Sequence, residues 1–205
     1  FDELVTLCAF CFNTLRRSAL FLQSHPETRA RVATFLEVDD LPEVRVVHLL
    51  EVLRDQVGFD QLREAVRRPL KGLRVAPYYG CLLLRPAAEM RVDDPNDPTL
   101  MEGLLEVLGC EPVDFTAKSE CCGSYHIVTD QDLAGARSGH VLRSAVETRV
   151  DVLVTTCPVC QFNLDWRQRI DRPGHVSLPI VYFPQLLALA LGEAADSLKL
   201  PEPAL

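Results

Sequence analysis

From about residue 70 onward, short apolar runs of strand type alternate with helical stretches, and this alternation restricts the fold more than any other feature of the chain. The runs are LRVAPYY (73–79), PVDFT (112–116), VDVLVTT (150–156) and LPIVYF (178–183). Between and after them lie LMEGLLEVLG (100–109), a helix of roughly 130–148, PVCQFNLDWRQRI (158–170) and PQLLALALG (184–192). Strands separated by helices must return in the same direction, so the pattern predicts a parallel, Rossmann-like α/β sheet flanked by helices. DDPNDPT (93–99) reads as a solvated turn, with Thr99 capping the helix after it. The first 70 residues read differently, as a mostly helical unit. Helices are expected at 14–24, at 27–37 with Pro26 in the first turn, and through VVHLLEVLRDQVG and FDQLREAVRR to Arg68. The expected division is 1–70 and 71–205, and no short repeat is visible.

Eight cysteines are set into this frame: Cys8, Cys11, Cys81, Cys110, Cys121, Cys122, Cys157 and Cys160. Residues are 48% hydrophobic, enough for a normal core, so disulfide staples are not needed and clustered thiols point to metal or redox chemistry. Cys81, the Cys121–Cys122 pair, and Cys157 with Cys160 each fall at or after an expected strand end, where parallel sheets build their sites. The adjacent pair admits a strained vicinal disulfide, two ordinary buried thiols, or metal binding. Four thiolates suit zinc or an ordinary iron–sulfur cluster. A fifth, forced beside another by the chain, suggests a centre with more than one ion. Cys157 and Pro158 open a helix, whose free N–H groups would stabilise an anionic centre and raise its potential.

Charge and hydropathy exclude other classes. A net charge of -8 leaves no basic face for nucleic acid or an anionic membrane. There is no apolar run long enough for a transmembrane helix and no signal peptide, so a cytoplasmic location is expected.

The phrases PYYGCLLLRP, DDPNDPTLMEGLLEVLG, ECCG and VTTCPVCQFNLD resemble the cysteine-rich CCG domain found in the B component of heterodisulfide reductase, over about Val44 to Asp165. The resemblance implies an oxidoreductase component that holds a noncubane 4Fe-4S cluster through Cys81, Cys121, Cys122, Cys157 and Cys160. It also implies two partners, a flavoprotein like the reductase's A component and a ferredoxin-type protein like its C component, and a small disulfide as substrate. LCAFCFNTL resembles the closing C-x-x-C of a first CCG unit, which makes Cys8 and Cys11 metal ligands of that unit; its other three cysteines are absent from this sequence. Two alternatives stand beside this reading. One is the iron–sulfur subunit of a lactate- or glycolate-type 2-hydroxy-acid oxidation complex. The other is an interaction domain stabilised by zinc, a metal that also enters cluster sites in recombinant protein made without iron–sulfur assembly. Among the remaining residues, Cys110 reads as a packed side chain and Tyr78 and Tyr79 as strand packing. His126 reads equally as a solvent-facing residue or a proton relay.

Overall fold

The computed structural model describes residues 2–170 and 177–200. Its main sheet is parallel, with strands in the order β4-β3-β5-β6: β3 is Arg74–Tyr78, β4 Glu111–Pro112, β5 Val152–Thr155 and β6 Ile180–Tyr182. The two central strands are buried along their length, as the unbroken apolar runs require. Helices α6 (Leu100–Val107), α7 (Gln131–Val146), α8 (Pro158–Ile170) and α9 (Phe183–Ala190) connect and follow the strands. This is the expected α/β architecture.

Strand β4 is much shorter than PVDFT suggested, and a proline on its neighbour explains why. The carbonyls of Leu73 and Val75 serve the β4 side of β3, accepting from Glu111 and Val113. The next residue facing that side is Pro77, which has no N–H to offer. The ladder stops, and residues 113–120 leave the sheet in turns. Tyr79 and Gly80 then donate to the Lys118 carbonyl at 2.8 and 3.1 Å, tying the departing chain back to the end of β3.

Residues upstream hold a second, two-stranded parallel sheet where the sequence pattern suggested only helices: β1 (Glu3–Thr6) pairs with β2 (Arg45–His48). Val46 and Val47 lie in this strand rather than in a helix. Their β-branched side chains suit a pleated strand, and the partner strand decides the matter. The helices here are α1 (Ala9–Ser24), α2 (Pro26–Phe35, with Pro26 in its first turn), α3 (Leu49–Val52), a π-type turn at Leu53–Val57, and α4 (Phe59–Ala65). A short α5 (Ala87–Met90) lies between β3 and α6.

The two sheets share one core. Ala9, Phe12, Val46 and Leu50 from the first pack in the same buried cluster as Tyr78, Leu104, Val154 and Phe183 from the second. The halves are also alike in design. Strand β1 leads through Cys8 into α1, and β5 leads through Cys157 into α8. Strands β2 and β6 end in His48 and Tyr182, and each residue opens a helix with its N–H donating to a side chain three residues on, Glu51 at 2.9 Å and Gln185 at 2.8 Å.

Candidate metal centre

Cys81 stands in a turn just beyond β3 whose Arg85 N–H returns to the Cys81 carbonyl at 3.1 Å. Gly80, at φ +65, lets the chain leave the strand sharply, and a Cβ there would stand 3.4 Å from Cys160 Sγ. Cys157 follows β5 and precedes α8, and Cys160 lies in the first turn of that helix. The vicinal pair, expected at a strand end, lies instead on the loop that follows the truncated β4. Tyr78 holds that loop from beneath, its hydroxyl donating to the Glu120 carbonyl at 2.7 Å.

These five thiols meet. Cys122 Sγ and Cys160 Sγ are 3.4 Å apart, Cys81 hydrogen-bonds to Cys121, and Cys160 hydrogen-bonds to Cys157 as well. Cys122, Cys157 and Cys160 are buried, while Cys81 and Cys121 are partly open. Protons are shared unequally within the group. The Cys81 thiol holds Cys121 down at about 6, helped by the Gly123 N–H 3.3 Å from its sulfur. The Cys160 thiol holds Cys122 at about 7, and the Ser124 hydroxyl and N–H also favour negative charge there. Cys157 falls to about 6, first through Cys160 and then through the N–H groups of Cys160, Val159 and Phe10. Cys81 is raised, first by its hydrogen bond to Cys121 and then by burial; Cys160 is raised by its hydrogen bonds to Cys122 and Cys157. The helix start foreseen at Pro158 therefore acts on Cys157, joined by an N–H from the start of α1.

Cys8 and Cys11 sit at the equivalent helix start. Cys8 is the N-cap of α1 and its sulfur accepts from the Cys11 N–H at 3.2 Å. Burial lifts the Cys8 thiol to about 11, and negative charge on Cys11 and Cys157 adds to the effect. The pair thus lies beside the five-thiol group but outside its sulfur-to-sulfur contacts. Cys110 is buried in the core, where burial raises it to about 12. His126 is exposed on the short 3-10 turn after the pair.

Several contributing residues have roles that sequence reasoning missed, although Gly123, Asn163 and Asn13 lie inside the motif phrases ECCG, VTTCPVCQFNLD and LCAFCFNTL. Gly123 sits at φ +83 against α7, where a Cβ would fall 2.9 Å from the Ala134 Cα. Asn163 Nδ2 donates to the Cys122 carbonyl at 2.6 Å, and Asn13 Nδ2 to the carbonyls of Leu82 and Arg85, both at 2.7 Å. Asp93, expected in a solvated loop, caps α6 by accepting from the Thr99 and Leu100 N–H groups at 2.7 Å; the Thr99 side chain makes no cap bond. Tyr79 is more than packing: its hydroxyl bonds Glu102 and accepts from the Met101 N–H. Lys118 is buried by this network. Burial pulls its pKa down, but Asp114, Glu102 and Asp97 more than offset that, and the net shift is upward.

A parallel α/β protein that gathers thiols from a C…CC…C-x-x-C pattern is a cysteine-rich redox protein in its general class. The family description "Cysteine-rich domain" (CCG) matches residues 75–165. Two relatives are heterodisulfide reductase B components: that of the ferredoxin/F(420)H(2)-dependent CoB-CoM heterodisulfide reductase of Methanosarcina acetivorans, and that of the ferredoxin:CoB-CoM heterodisulfide reductase of Methanosarcina mazei. The first is 30% identical over 99% of this chain and 70% of its own length, the second 31% over 96% and 68%. The chain belongs to the family of heterodisulfide reductase B components and is part of an oxidoreductase. It is also 29% identical, over 96% of this chain and 70% of the relative, to the 8-methylmenaquinol:fumarate reductase membrane anchor subunit of Wolinella succinogenes. A crystal structure of a hypothetical protein from Helicobacter pylori shares the fold at TM-score 0.62 and 11% identity. That match covers 89% of this chain and 33% of the other. No helix among the described residues is long and apolar enough to cross a membrane.

Proposed function

We propose that this chain is the iron–sulfur electron-transfer subunit of a heterodisulfide-reductase-like complex. Cys81, Cys121, Cys122, Cys157 and Cys160 hold a noncubane 4Fe-4S cluster that serves disulfide reduction. The observation that carries the reading is the meeting of five thiols from three separate chain segments, with Cys121, Cys122 and Cys157 all biased toward thiolate. Metal ligation needs the thiolate, and the protein has prepared it. The donor set fits a polynuclear centre better than zinc. Five thiols are one more than a tetrahedral zinc site takes, and the adjacent Cys121 and Cys122 suit separate ions.

When bound, the cluster supplies one-electron storage beside a soft, sulfur-binding iron surface. The chain's own residues do the rest. Helix starts at Cys8 and Cys157 aim N–H groups at sulfur, which stabilises negative charge. Cys81 and Cys121 are the partly open members, so an acceptor approaches from their side. Cleaving a disulfide breaks one S–S bond, takes two electrons and two protons, and releases two thiols. The electrons come from a partner's flavin or cluster, in a flavoprotein like the A component or a ferredoxin-type protein like the C component of heterodisulfide reductase. The protons come from solvent. Residues 1–70 are the closing part of a first CCG unit, and 71–205 are the complete second one. The matching design of β1–Cys8–α1 and β5–Cys157–α8 supports that division.

The test is metal and sulfide analysis after anaerobic purification and reconstitution. About four irons with matching sulfide per chain is expected, with absorption near 400 nm. Cys121→Ser and Cys122→Ser should each lower the iron content, because each thiolate has its own iron to bind. Stoichiometric zinc without sulfide, or full iron in either serine variant, sinks the reading. The match to a menaquinol:fumarate reductase component favours one second reading, in which the same iron–sulfur protein serves a complex with a different terminal acceptor. Recovery of the native complex and assay against small disulfides and quinols separates the two.

A further inference from the structure

Each C-x-x-C helix extends one buried asparagine to a loop that carries another cysteine. On α1, Asn13 follows the Cys8–Cys11 pair and is 4% exposed. Its amide is taken up by the Cys81 turn, at the carbonyls of Leu82 and Arg85. On α8, Asn163 follows Cys160 and is 1% exposed. Its amide nitrogen meets the carbonyl of Cys122 at 2.6 Å, while its Oδ1 has no partner among the described residues. An amide buried this deeply is costly unless its hydrogen bonds are made. Asn13 Nδ2 also lies 3.3 Å from the Met90 sulfur, and the three bonds to carbonyls all end within four residues of a site cysteine. The other anchors of these loops, at Lys118, Ser119 and Glu120, stop short of Cys122, and the Cys81 turn lies beyond its strand, so the amides hold the backbone where those anchors do not reach.

We propose that Asn13 and Asn163 are positioning residues. They fix the Cys81 turn and the Cys122 backbone against the two C-x-x-C helices, so that the five-thiol site is preformed in the metal-free chain. Asn13 belongs to the helix of the first cysteine pair, so α1 is a working part of the second site even with Cys8 and Cys11 outside its sulfur contacts. The significance rests on the five cysteines being cluster ligands, but the geometry and its test do not.

The test is pulsed alkylation of the metal-free, reduced chain with N-ethylmaleimide, read cysteine by cysteine by mass spectrometry. Asn13→Leu keeps the branched shape and removes the donors. It should raise the alkylation rate of Cys81 about tenfold through local opening, with Cys122 and Cys110 unchanged. Asn163→Leu should do the same for Cys122 and leave Cys81 alone. Asn13→Ser, which keeps one donor, covers the case where the leucine variant fails to fold and should give an intermediate rate. The reconstituted Asn13 variants should also show an altered visible spectrum, which a purely structural loss of stability would not produce. Equal acceleration of every cysteine, or no change at Cys81, overturns the proposal. No iron uptake by the wild-type chain, together with selective acceleration in the two variants, refutes the cluster reading and supports the positioning. Iron uptake with an unselective pattern refutes the positioning alone.

Discussion

Gly123→Ala is the substitution whose cost the structure specifies most closely. Two penalties act at this position. The backbone sits at φ +83, where a residue with a Cβ loses about 1 kcal/mol or more. The added methyl then meets α7, with Ala134 Cα at 2.9 Å, Arg137 Cβ at 3.0 Å and the Ala134 carbonyl oxygen at 3.1 Å. Two of these contacts are helix backbone and cannot swing aside, so overpacking adds about 1–3 kcal/mol. The sum is about 2–5 kcal/mol, which for a chain of this size lowers Tm by roughly 4–20 °C. Gly72→Ala supplies the control. Gly72 has nearly the same φ, +79, but nothing lies within 4 Å of its added Cβ. It should cost only the backbone strain, about 1 kcal/mol. Urea unfolding of the metal-free variants gives both numbers, and their difference isolates the collision with α7. Relief of that collision must push the loop away from α7 and carry Cys122 off Cys160, so the Gly123 variant should also lose iron on reconstitution while the Gly72 variant keeps it. Equal stability losses in the two variants would refute the reasoning, because they would show that α7 yields freely and that the glycine is needed only for its φ.

Three further outcomes are expected. Cys110→Ala should leave iron content unchanged and cost on the order of 1 kcal/mol in packing, checked by metal analysis and urea unfolding; iron loss would mean that the ligand set is wrong. Cys8→Ala combined with Cys11→Ala should still give about four irons per chain, since the pair lies outside the five-thiol contacts; a fall in iron and sulfide per chain would make it part of that site. Burial holds His48 neutral down to about pH 3 against 6.5 unfolded. Below pH 6.5 the unfolded chain binds a proton the native chain refuses, so stability should fall as pH drops toward 3, by up to about 1.4 kcal/mol per unit, and His48→Gln should flatten the slope in urea titrations.

What the sequence revealed and what it hid follow from the range of the interactions involved. Strands β3, β5 and β6 were legible because each is a short apolar run bounded by a turn, and burial on both faces is written into the run itself. Strand β2 was not. Arg45–His48 runs directly into the helix Leu49–Val52, and nothing local marks the boundary; the deciding fact is that Glu3–Thr6, distant in the chain, lies beside it. The length of β4 depended on Pro77, which acts on a strand far downstream. The thiols were legible by residue type and pattern, because few residues can do their chemistry. Asn13, Asn163 and Gly123 lie inside the same motif phrases, but their roles were not legible, because a polar residue on a helix reads as solvated and a glycine after two cysteines reads as a turn. Their roles exist only once α1, α7 and α8 close around the loops.

That difference bears on how the site assembles. Thiolates gathered this closely repel one another, and desolvation adds to the cost, yet Cys121, Cys122 and Cys157 are all held toward the charged form. The loops bearing Cys81 and Cys122 are not fixed by strand pairing at those positions. The Cys81 and Cys160 thiols offset the repulsion first, by hydrogen bonding to the charged sulfurs, and the backbone is held in place by the amides of Asn13 and Asn163, the Gly123 contact with α7, the Tyr78 hydroxyl on Glu120, and the helix starts at Cys8 and Cys157. Metal binding then relieves a repulsion the fold has already borne. It should stabilise the chain by more than the ordering of a flexible loop would allow, because little backbone entropy remains to be lost.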